Sequence, residues 1–360
     1  MKACALVSLI LCSSAFADKW DENNDPSNFD SHYEYNFSAL SRGAALPLNK
    51  MPWASSYWPR NKGSINYRWN SPNPNGLEIQ SPSKAQVMNM RQDQLAQLSP
   101  AEKFDLARGL YDYPLSSSVA KGVKKTAKDY EGVCDGWTAS AIQFAEPAPV
   151  NLINPEGILI PFGSSDVKAL MSYDVSINQK DGELGSVFVG KYCVSSLGMK
   201  LGTANCSDIN PGAFHVILAN QIAIKKEALA VDIDPTRETW NQPVYGFEFE
   251  IKGQTKSEHA PVAYLVHAKL KYAEDDPETA EEKKNVFTWE PTVGTPRYNS
   301  GVMELDYILE VDYSGRITGG EWLEGSKFNH PDLFWLPTKK IQFTKEFDFL
   351  YKVYKPFFVQ

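Results

Sequence analysis

Cys134 is the residue of this sequence best placed to act as a nucleophile. It lies in the stretch EGVCDGWTA (131–139), between Gly132 and Gly136, where the pattern predicts the start of a helix. The N-terminus of a helix offers unpaired backbone N–H groups and a partial positive charge, and both favour a thiolate. We therefore expect the pKa of Cys134 to be lowered, as thiol catalysis requires. A buried cysteine without a role is the alternative.

A thiol nucleophile needs a group that moves protons, and His215 is the candidate. Alternation in GAFHVILAN (212–220) predicts a strand with His215 and Ile217 on one face and Phe214 on the other. A structural histidine is the alternative. The remaining histidines are in the N-terminal segment, at a turn, after a strand and in a loop: His32, His259, His267 and His330.

The imidazole in turn needs a third group that holds its tautomer. The next predicted strand, ALAVDIDPT (228–236), carries Asp232 and Asp234 on one face, because they are two residues apart. Two neighbouring antiparallel strands would place one of these carboxylates beside His215. The pattern does not separate the two aspartates, and a solvated strand end is the alternative.

Residues 1–17 are typical of a secretory signal peptide. Lys2 precedes an apolar run, and Ala15-Phe16-Ala17 is a small-x-small cleavage site. We therefore predict a secreted protein, extracellular or, in a Gram-negative source, periplasmic. Of five cysteines, three would remain: Cys134, Cys193 and Cys206. A disulfide between Cys193 and Cys206 would leave Cys134 as the odd thiol, with three free thiols or an intermolecular bond as alternatives.

Composition argues against two classes of partner. The formal net charge of −8 becomes −9 once Lys2 is removed, so a nucleic-acid partner is not expected. No later stretch reaches eighteen uninterrupted apolar residues, so a membrane partner is not expected either. The sequence does not predict the oligomeric state.

The hydrophobic period changes along the chain. Residues 18–50 are polar and predict a flexible N-terminal arm, either poorly ordered or wrapped around the rest. Residues 51–360 predict one catalytic α+β unit, helical over 84–175 and β-rich over 185–360. Helices first and strands later indicate the α+β class.

Five stretches resemble the transglutaminase elicitor family of oomycetes and marine bacteria. In order they are YWPRNKG, GVCDGW, GAFHV, DPTRETWNQPVYGF and GGEW…NHPDLFWLP, and they span roughly residues 50–340. The stretch WNQPVYGF (240–247) is the most specific. It is similar to the surface peptide of the oomycete enzyme that plants recognise, with Tyr245 in place of an arginine.

The resemblance implies a protein-glutamine γ-glutamyltransferase with a papain-like or transglutaminase-like cysteine core, in which the catalytic helix packs on an antiparallel sheet. Cys134 would attack a glutamine amide and form a thioester, and His215 would move the protons. A lysine amine would then complete an isopeptide crosslink, so the implied partners are proteins that bear Gln and Lys. The resemblance favours Asp234 over Asp232 as third member of the triad.

Several points stay open. Trp137 could line the cleft or donate its indole N–H in the transition state, or it could be a core anchor. No cofactor or metal is required by the sequence, although some transglutaminases of this family need calcium. A papain-like cysteine protease, a glutamine deamidase and a non-catalytic secreted recognition protein carrying WNQPVYGF are the alternative functions.

Overall fold

A computed structural model gives the architecture of most of the chain. Cys193, Cys206 and the predicted signal peptide lie outside the residues it describes, so the disulfide and the signal remain predictions. The structure describes residues 20–178, 184–191, 208–236, 238–275 and 286–350.

Helices dominate the first half of the chain. They are α1 (Lys84–Val87), α2 (Gln92–Ala96), α3 (Pro100–Ala107), α4 (Pro114–Gly122), α5 (Cys134–Gln143), α6 (Ser164–Tyr173) and, later, α7 (Pro211–Leu218). Stretches of wider turns continue α6 through Asp174–Asn178 and α7 through Ala219–Lys225. None of the helices in the described ranges is long and apolar enough to span a bilayer.

Antiparallel strands form the second layer. They are β1 (Gly43–Ala45), β2 (Val150–Ile153), β3 (Leu159–Phe162), β4 (Val187–Gly190), β5 (Leu229–Asp232), β6 (Asn241–Thr255), β7 (Val262–Ala273), β8 (Ser300–Val311), β9 (Ile317–Trp322) and β10 (Leu333–Leu336). The main sheet has the order β4-β10-β5-β6-β7-β8-β9, with β1 paired to β6, and β2 pairs with β3 separately. The predicted α+β class with a β-rich C-terminal half is confirmed.

The sheet has a hydrophobic core on each face. Ala230 of β5 and Trp335 of β10 lie in the core that contains Cys134 of α5, which we call the α5 core. Their neighbours Val231 and Phe334 lie in the core that contains most of α7, which we call the α7 core. Successive residues of a strand point to opposite faces, so α5 and α7 pack on opposite sides of the sheet.

Residues 20–50 wrap around the α7 core. Tyr33 and Leu46 are buried in that core, and the Tyr33 hydroxyl donates to Gln221 Oε1 at 2.8 Å. Strand β1 adds to the sheet by pairing with β6. The described part of the predicted arm is therefore packed despite its polar composition, because three of its five aromatic side chains are buried and the other two, Phe29 and Phe37, are half-buried against the α7 core.

One predicted strand is wrong, and a second is absent from the part of it that the structure describes. Residues 213–224 form α7 and its continuation, and the helix begins at Pro211 with the Asn210 side chain accepting from the N–H of Gly212. A helix that is apolar on all sides shows no 3.6-residue period, so its sequence resembles a buried strand. Residues 341–354 alternate as a strand would, yet the described part, up to 350, contains one short 3₁₀ turn, Lys345–Phe347.

Candidate active site

Cys134 is the first residue of α5, as its motif predicts. The helix packs on β5 and β6, and the Cys134 side chain is only 6% exposed. Both flanking glycines are required by close backbone contacts. A Cβ at Gly132 would lie 2.4 Å from the carbonyl oxygen of Tyr57, and a Cβ at Gly136 would lie 2.0 Å from that of Ser172. The glycines thus let α5 approach its neighbours.

The sulfur of Cys134 lies against the start of β6. Its S–H donates to the carbonyl oxygen of Thr239, with sulfur and oxygen 3.6 Å apart. The side-chain Nδ2 of Asn241 donates to the sulfur at 3.7 Å, and the backbone N–H of Asn241 donates to it as well. Asn241 therefore directs two donors at the reactive atom.

The side-chain amide of Asn241 is held in one orientation. Its Oδ1 accepts the indole N–H of the buried Trp335 at 2.8 Å. On α5, the hydroxyl of Thr138 donates to the backbone carbonyl of Asn241 at 3.0 Å. Because an N–H donor occupies Oδ1, the NH₂ group must face the sulfur.

The thiol of Cys134 is protonated at neutral pH. Burial raises its pKa from 9.0 to about 12, and the charges of Asp135 and Asp275 act in the same direction. The two donors of Asn241 lower the pKa but do not offset the burial. The predicted lowering of the thiol pKa is therefore wrong for this conformation, because desolvation outweighs the favourable helix end.

The two candidate aspartates have different surroundings. Asp232 is fully buried, pairs with Asn241 across β5 and β6, and accepts the backbone N–H of Trp240 at 2.9 Å. Asp234 instead accepts from the backbone N–H of Thr236 at 2.7 Å and from its hydroxyl. The structure brings Asp232, rather than Asp234, to the residue that contacts the sulfur.

His215 lies on the opposite side of the sheet from Cys134. Its ring stacks on Phe249 with centroids 3.9 Å apart, and its Nδ1 shares a hydrogen bond of 2.8 Å with the Tyr307 hydroxyl. Both partners belong to the α7 core. The predicted strand position beside the nucleophile is wrong, because residues 212–218 are helical and the sheet separates the two side chains.

His215 is expected to make the fold sensitive to acid. Burial lowers its pKa from 6.5 to about 3, so below pH 6.5 the unfolded chain binds a proton that the folded chain does not. The contribution of His215 to the free energy of unfolding is then lost as the pH falls, by up to about 1.4 kcal/mol per pH unit. Urea unfolding between pH 7 and about pH 4 measures this loss, and His215→Phe should show a shallower slope. Equal slopes in the two proteins would contradict the assignment.

The other four histidines also have surroundings away from the sulfur. His32 contacts Asp30, His267 contacts Asp306, and His330 stacks on Trp322, whereas His259 is exposed at a turn. Within the part of the chain that the structure describes, the hydrogen bonds of the Cys134 sulfur are to Thr239 and Asn241.

Trp137 is a core anchor. It is fully buried, and its indole N–H donates to the carbonyl oxygen of Trp53 at 3.0 Å. Because this N–H already donates to a carbonyl, it is not available to stabilise an oxyanion in the transition state. The structure therefore supports the alternative that Trp137 is a core residue.

Gly136→Ala is expected to lower the stability of the α5–α6 contact. The added Cβ would lie 2.0 Å from the Ser172 carbonyl oxygen and 2.7 Å from the Ser176 backbone nitrogen, and backbone atoms cannot swing away. Overpacking of this kind costs about 1–3 kcal/mol. The control is Gly122→Ala at the end of α4, where a Cβ meets nothing within 4 Å. Thermal unfolding should show a lower Tm for the first variant alone, and an unchanged Tm there would refute the close contact.

Comparison with known proteins relates this geometry to a family. The model of the transglutaminase elicitor family matches residues 24–347. The chain belongs to the transglutaminase elicitor family.

One solved structure is similar to this elicitor-family chain. It is the crystal structure of the GP42 transglutaminase from Phytophthora sojae, with 22% sequence identity and a TM-score of 0.65. The match covers 89% of this chain and 91% of the GP42 chain. At this identity, the likeness shows that the fold is shared. No curated protein sequence matches the chain.

Calcium is the cofactor that membership of the elicitor family brings into question. In the described ranges, no group of three or more His, Cys, Asp or Glu side chains is placed to hold a metal ion. The reaction proposed below has no metal-dependent step.

Asn241 is the site residue that sequence reasoning missed. It lies in the elicitor-family stretch 240–247, of which only Trp240 and Tyr245 are half-buried and the other six residues are buried. This chain thus places the stretch inside the sheet and against the thiol, rather than as a surface peptide. A polar amide at the head of an apolar strand was the available signal, since buried polar groups need a partner.

Proposed function

We propose that this elicitor-family chain is a secreted protein-glutamine γ-glutamyltransferase with Cys134 as its nucleophile. The observation that carries the proposal is a thiol at the first residue of a helix, packed on a sheet, with two N–H donors of Asn241 directed at its sulfur. Hydrogen bonds to the charged form of a group favour that form, and a nucleophilic thiol must ionise. The family and the fold support the same proposal.

In the proposed reaction, the thiolate attacks the side-chain amide carbon of a protein-bound glutamine. The tetrahedral intermediate loses ammonia and leaves a thioester on Cys134. A lysine amine then attacks the thioester, which releases the thiol and forms the isopeptide bond. The sulfur is nearly enclosed, and exclusion of water from the thioester favours transfer to an amine over hydrolysis.

The protons of this reaction must be carried by groups other than His215, which lies across the sheet. Carboxyl groups are the candidates on the Cys134 side. Asp232 is buried next to Asn241, and Asp275 is close enough for its charge to raise the pKa of the thiol. We expect activity to rise with pH, because the fraction of thiolate increases toward the high thiol pKa.

Substrate access requires the segment above the sulfur to move. Thr239 accepts the thiol proton in a hydrogen bond, and the ring of Trp240 meets Tyr57 edge-on with centroids 5.2 Å apart. A glutamine side chain must displace the Thr239 carbonyl in order to reach the sulfur.

The experiment that tests the proposal is incorporation of a fluorescent primary amine into a glutamine-bearing protein such as casein, with released ammonia measured in parallel. It uses the mature chain, with and without added calcium. Amine incorporation with one ammonia released per amine incorporated is expected. Ammonia without amine incorporation would identify a deamidase, and cleaved peptide bonds would identify a protease. Either result would overturn transfer.

A non-catalytic recognition protein is the second candidate, because one observation favours it. The thiol is buried and protonated, and the imidazole predicted beside it lies in the other core. A folded chain that releases no ammonia and incorporates no amine, with or without calcium, would favour this candidate over any enzyme.

A further inference from the structure

We infer that Asn241 stabilises the thiolate of Cys134, and that Trp335 is the positioning residue that orients Asn241 for this role. The inference rests on the proposed function, since it adds residues to the same site. It concerns the ionisation of one thiol, which can be measured without any protein substrate.

The donors of Asn241 are matched to a negative sulfur. A neutral thiol is a weak acceptor, so an amide N–H buried against it forms a poor hydrogen bond. The separation of 3.7 Å between Nδ2 and Sγ agrees with such a weak contact. Once the sulfur is negative, the same N–H groups form charge-assisted hydrogen bonds, which are roughly twice as strong as neutral ones. The donors of Asn241 therefore stabilise the thiolate more than the thiol, against the opposing effect of burial.

The opposite interaction marks the resting state. The thiol proton points at the carbonyl oxygen of Thr239, which accepts a proton donor and repels a negative sulfur. The Thr239 carbonyl thus stabilises the protonated thiol of Cys134, whereas the donors of Asn241 stabilise its thiolate. Removal of the Thr239 carbonyl by an entering substrate leaves the two donors of Asn241 as the groups on the sulfur.

Trp335 fixes which end of the amide meets the sulfur. Rotation of the Asn241 amide by half a turn would place Oδ1 against Cys134 and would leave the Trp335 indole N–H facing an NH₂ group. The hydrogen bond of 2.8 Å from Trp335 to Oδ1 disfavours that arrangement, because the indole is a donor only. Trp335 is buried on β10 in the α5 core, so water does not replace its N–H readily.

The test measures how fast iodoacetamide alkylates Cys134 between pH 7 and pH 10, with the modified peptide followed by mass spectrometry. The thiolate displaces iodide and forms a thioether, and the thiol proton passes to the buffer, so the rate reports the thiolate fraction. Asn241→Leu removes the side-chain donor at similar volume. We expect its rate at pH 8 to fall about tenfold, and its pH profile to shift upward, through loss of a hydrogen bond to a charged group. Trp335→Phe should shift the profile in the same direction by less.

Gln242→Leu is the matched control. Gln242 is the next residue of β6, is buried to a similar extent, and faces the α7 core, because its partner in β5 is Val231. The pH profile of Cys134 alkylation in Gln242→Leu should coincide with that of the wild-type chain.

Three results would overturn the inference. They are an unchanged profile in Asn241→Leu, an equal shift in Gln242→Leu, and an unchanged profile in Trp335→Phe where Asn241→Leu does not fold by circular dichroism. Failure of amine incorporation would overturn the proposed function and leave the alkylation result standing. Amine incorporation together with an unchanged alkylation profile in Asn241→Leu would remove Asn241 from the site and leave the transferase proposal in place.

Discussion

Cys134→Ala is expected to reduce amine incorporation by at least about a thousandfold, since loss of a nucleophile removes the covalent route. The chain should remain folded, because alanine fills most of the volume of a buried cysteine and the hydrogen bonds of the thiol to Thr239 and Asn241 are long and weak. Initial rates of amine incorporation, compared at equal concentrations of folded protein, measure the effect. Thermal unfolding of the same samples separates lost chemistry from lost structure.

Ser140→Ala provides the matched control for this variant. Ser140 is buried on the same helix, two turns after Cys134, and is not part of the proposed site. It should retain full activity. Amine incorporation that persists in Cys134→Ala would place the nucleophile elsewhere in the chain and would end the assignment of Cys134.

Lys103→Met is expected to lower the free energy of unfolding by about 3–5 kcal/mol, the usual cost of leaving one member of a buried ion pair alone. Lys103 Nζ lies 2.7 Å from Asp166 Oδ2, and both side chains are fully buried. Asp166 also accepts from the backbone N–H of Gly163 and from the indole of Trp69. These neutral donors do not replace the lost charge.

The effect of Lys103→Met should depend on pH in a defined direction. Burial raises the pKa of Asp166, and the charge of Lys103 opposes that rise. Without the lysine, the folded state needs Asp166 protonated, so stability is lost as the pH rises through its pKa in the folded state. Urea unfolding should show a larger deficit at pH 8 than at pH 5.

Arg91→Met is the surface counterpart of this change. Arg91 and Asp93 form an ion pair of 2.7 Å in which both side chains are exposed, and loss of such a pair should leave the urea midpoint unchanged. A deficit for Lys103→Met no larger than that for Arg91→Met would contradict the burial of the pair.

Local signals in the sequence predicted much of the fold. Residue types at helix starts act over a single turn, so the capping box at Ser99 and the helix start at Cys134 could be recognised without tertiary information. The alternation in β7 and β8 is equally local, since one face of each strand is mostly buried and the other is half-buried in β7 and largely exposed in β8. Helix α7 could not be recognised in this way, because its buried surroundings remove the amphipathic period.

The site was predicted only in part, for a related reason. Cys134 and Asp232 do lie on one side of the sheet, as a chain of local patterns would suggest. The predicted position of His215 depended on the secondary structure of one apolar run. Because that run is a helix rather than a strand, His215 lies in the α7 core instead of beside Cys134. Asn241 reaches the sulfur through the register of β5 and β6 and through Trp335, about a hundred residues further along the chain, and such contacts are not visible in local patterns.

The start of β6, residues 241–244, is buried on both faces, and this burial has a consequence for how the family can vary. Asn241 and Pro243 face the α5 core, whereas Gln242 and Val244 face the α7 core. A change at position 241 or 243 alters the surroundings of the sulfur in molecules that still fold. A change at position 242 or 244 alters how many molecules fold, while those that do keep an unchanged thiol. Natural variants of this short stretch would thus fall into two classes, one of altered specific activity and one of altered abundance.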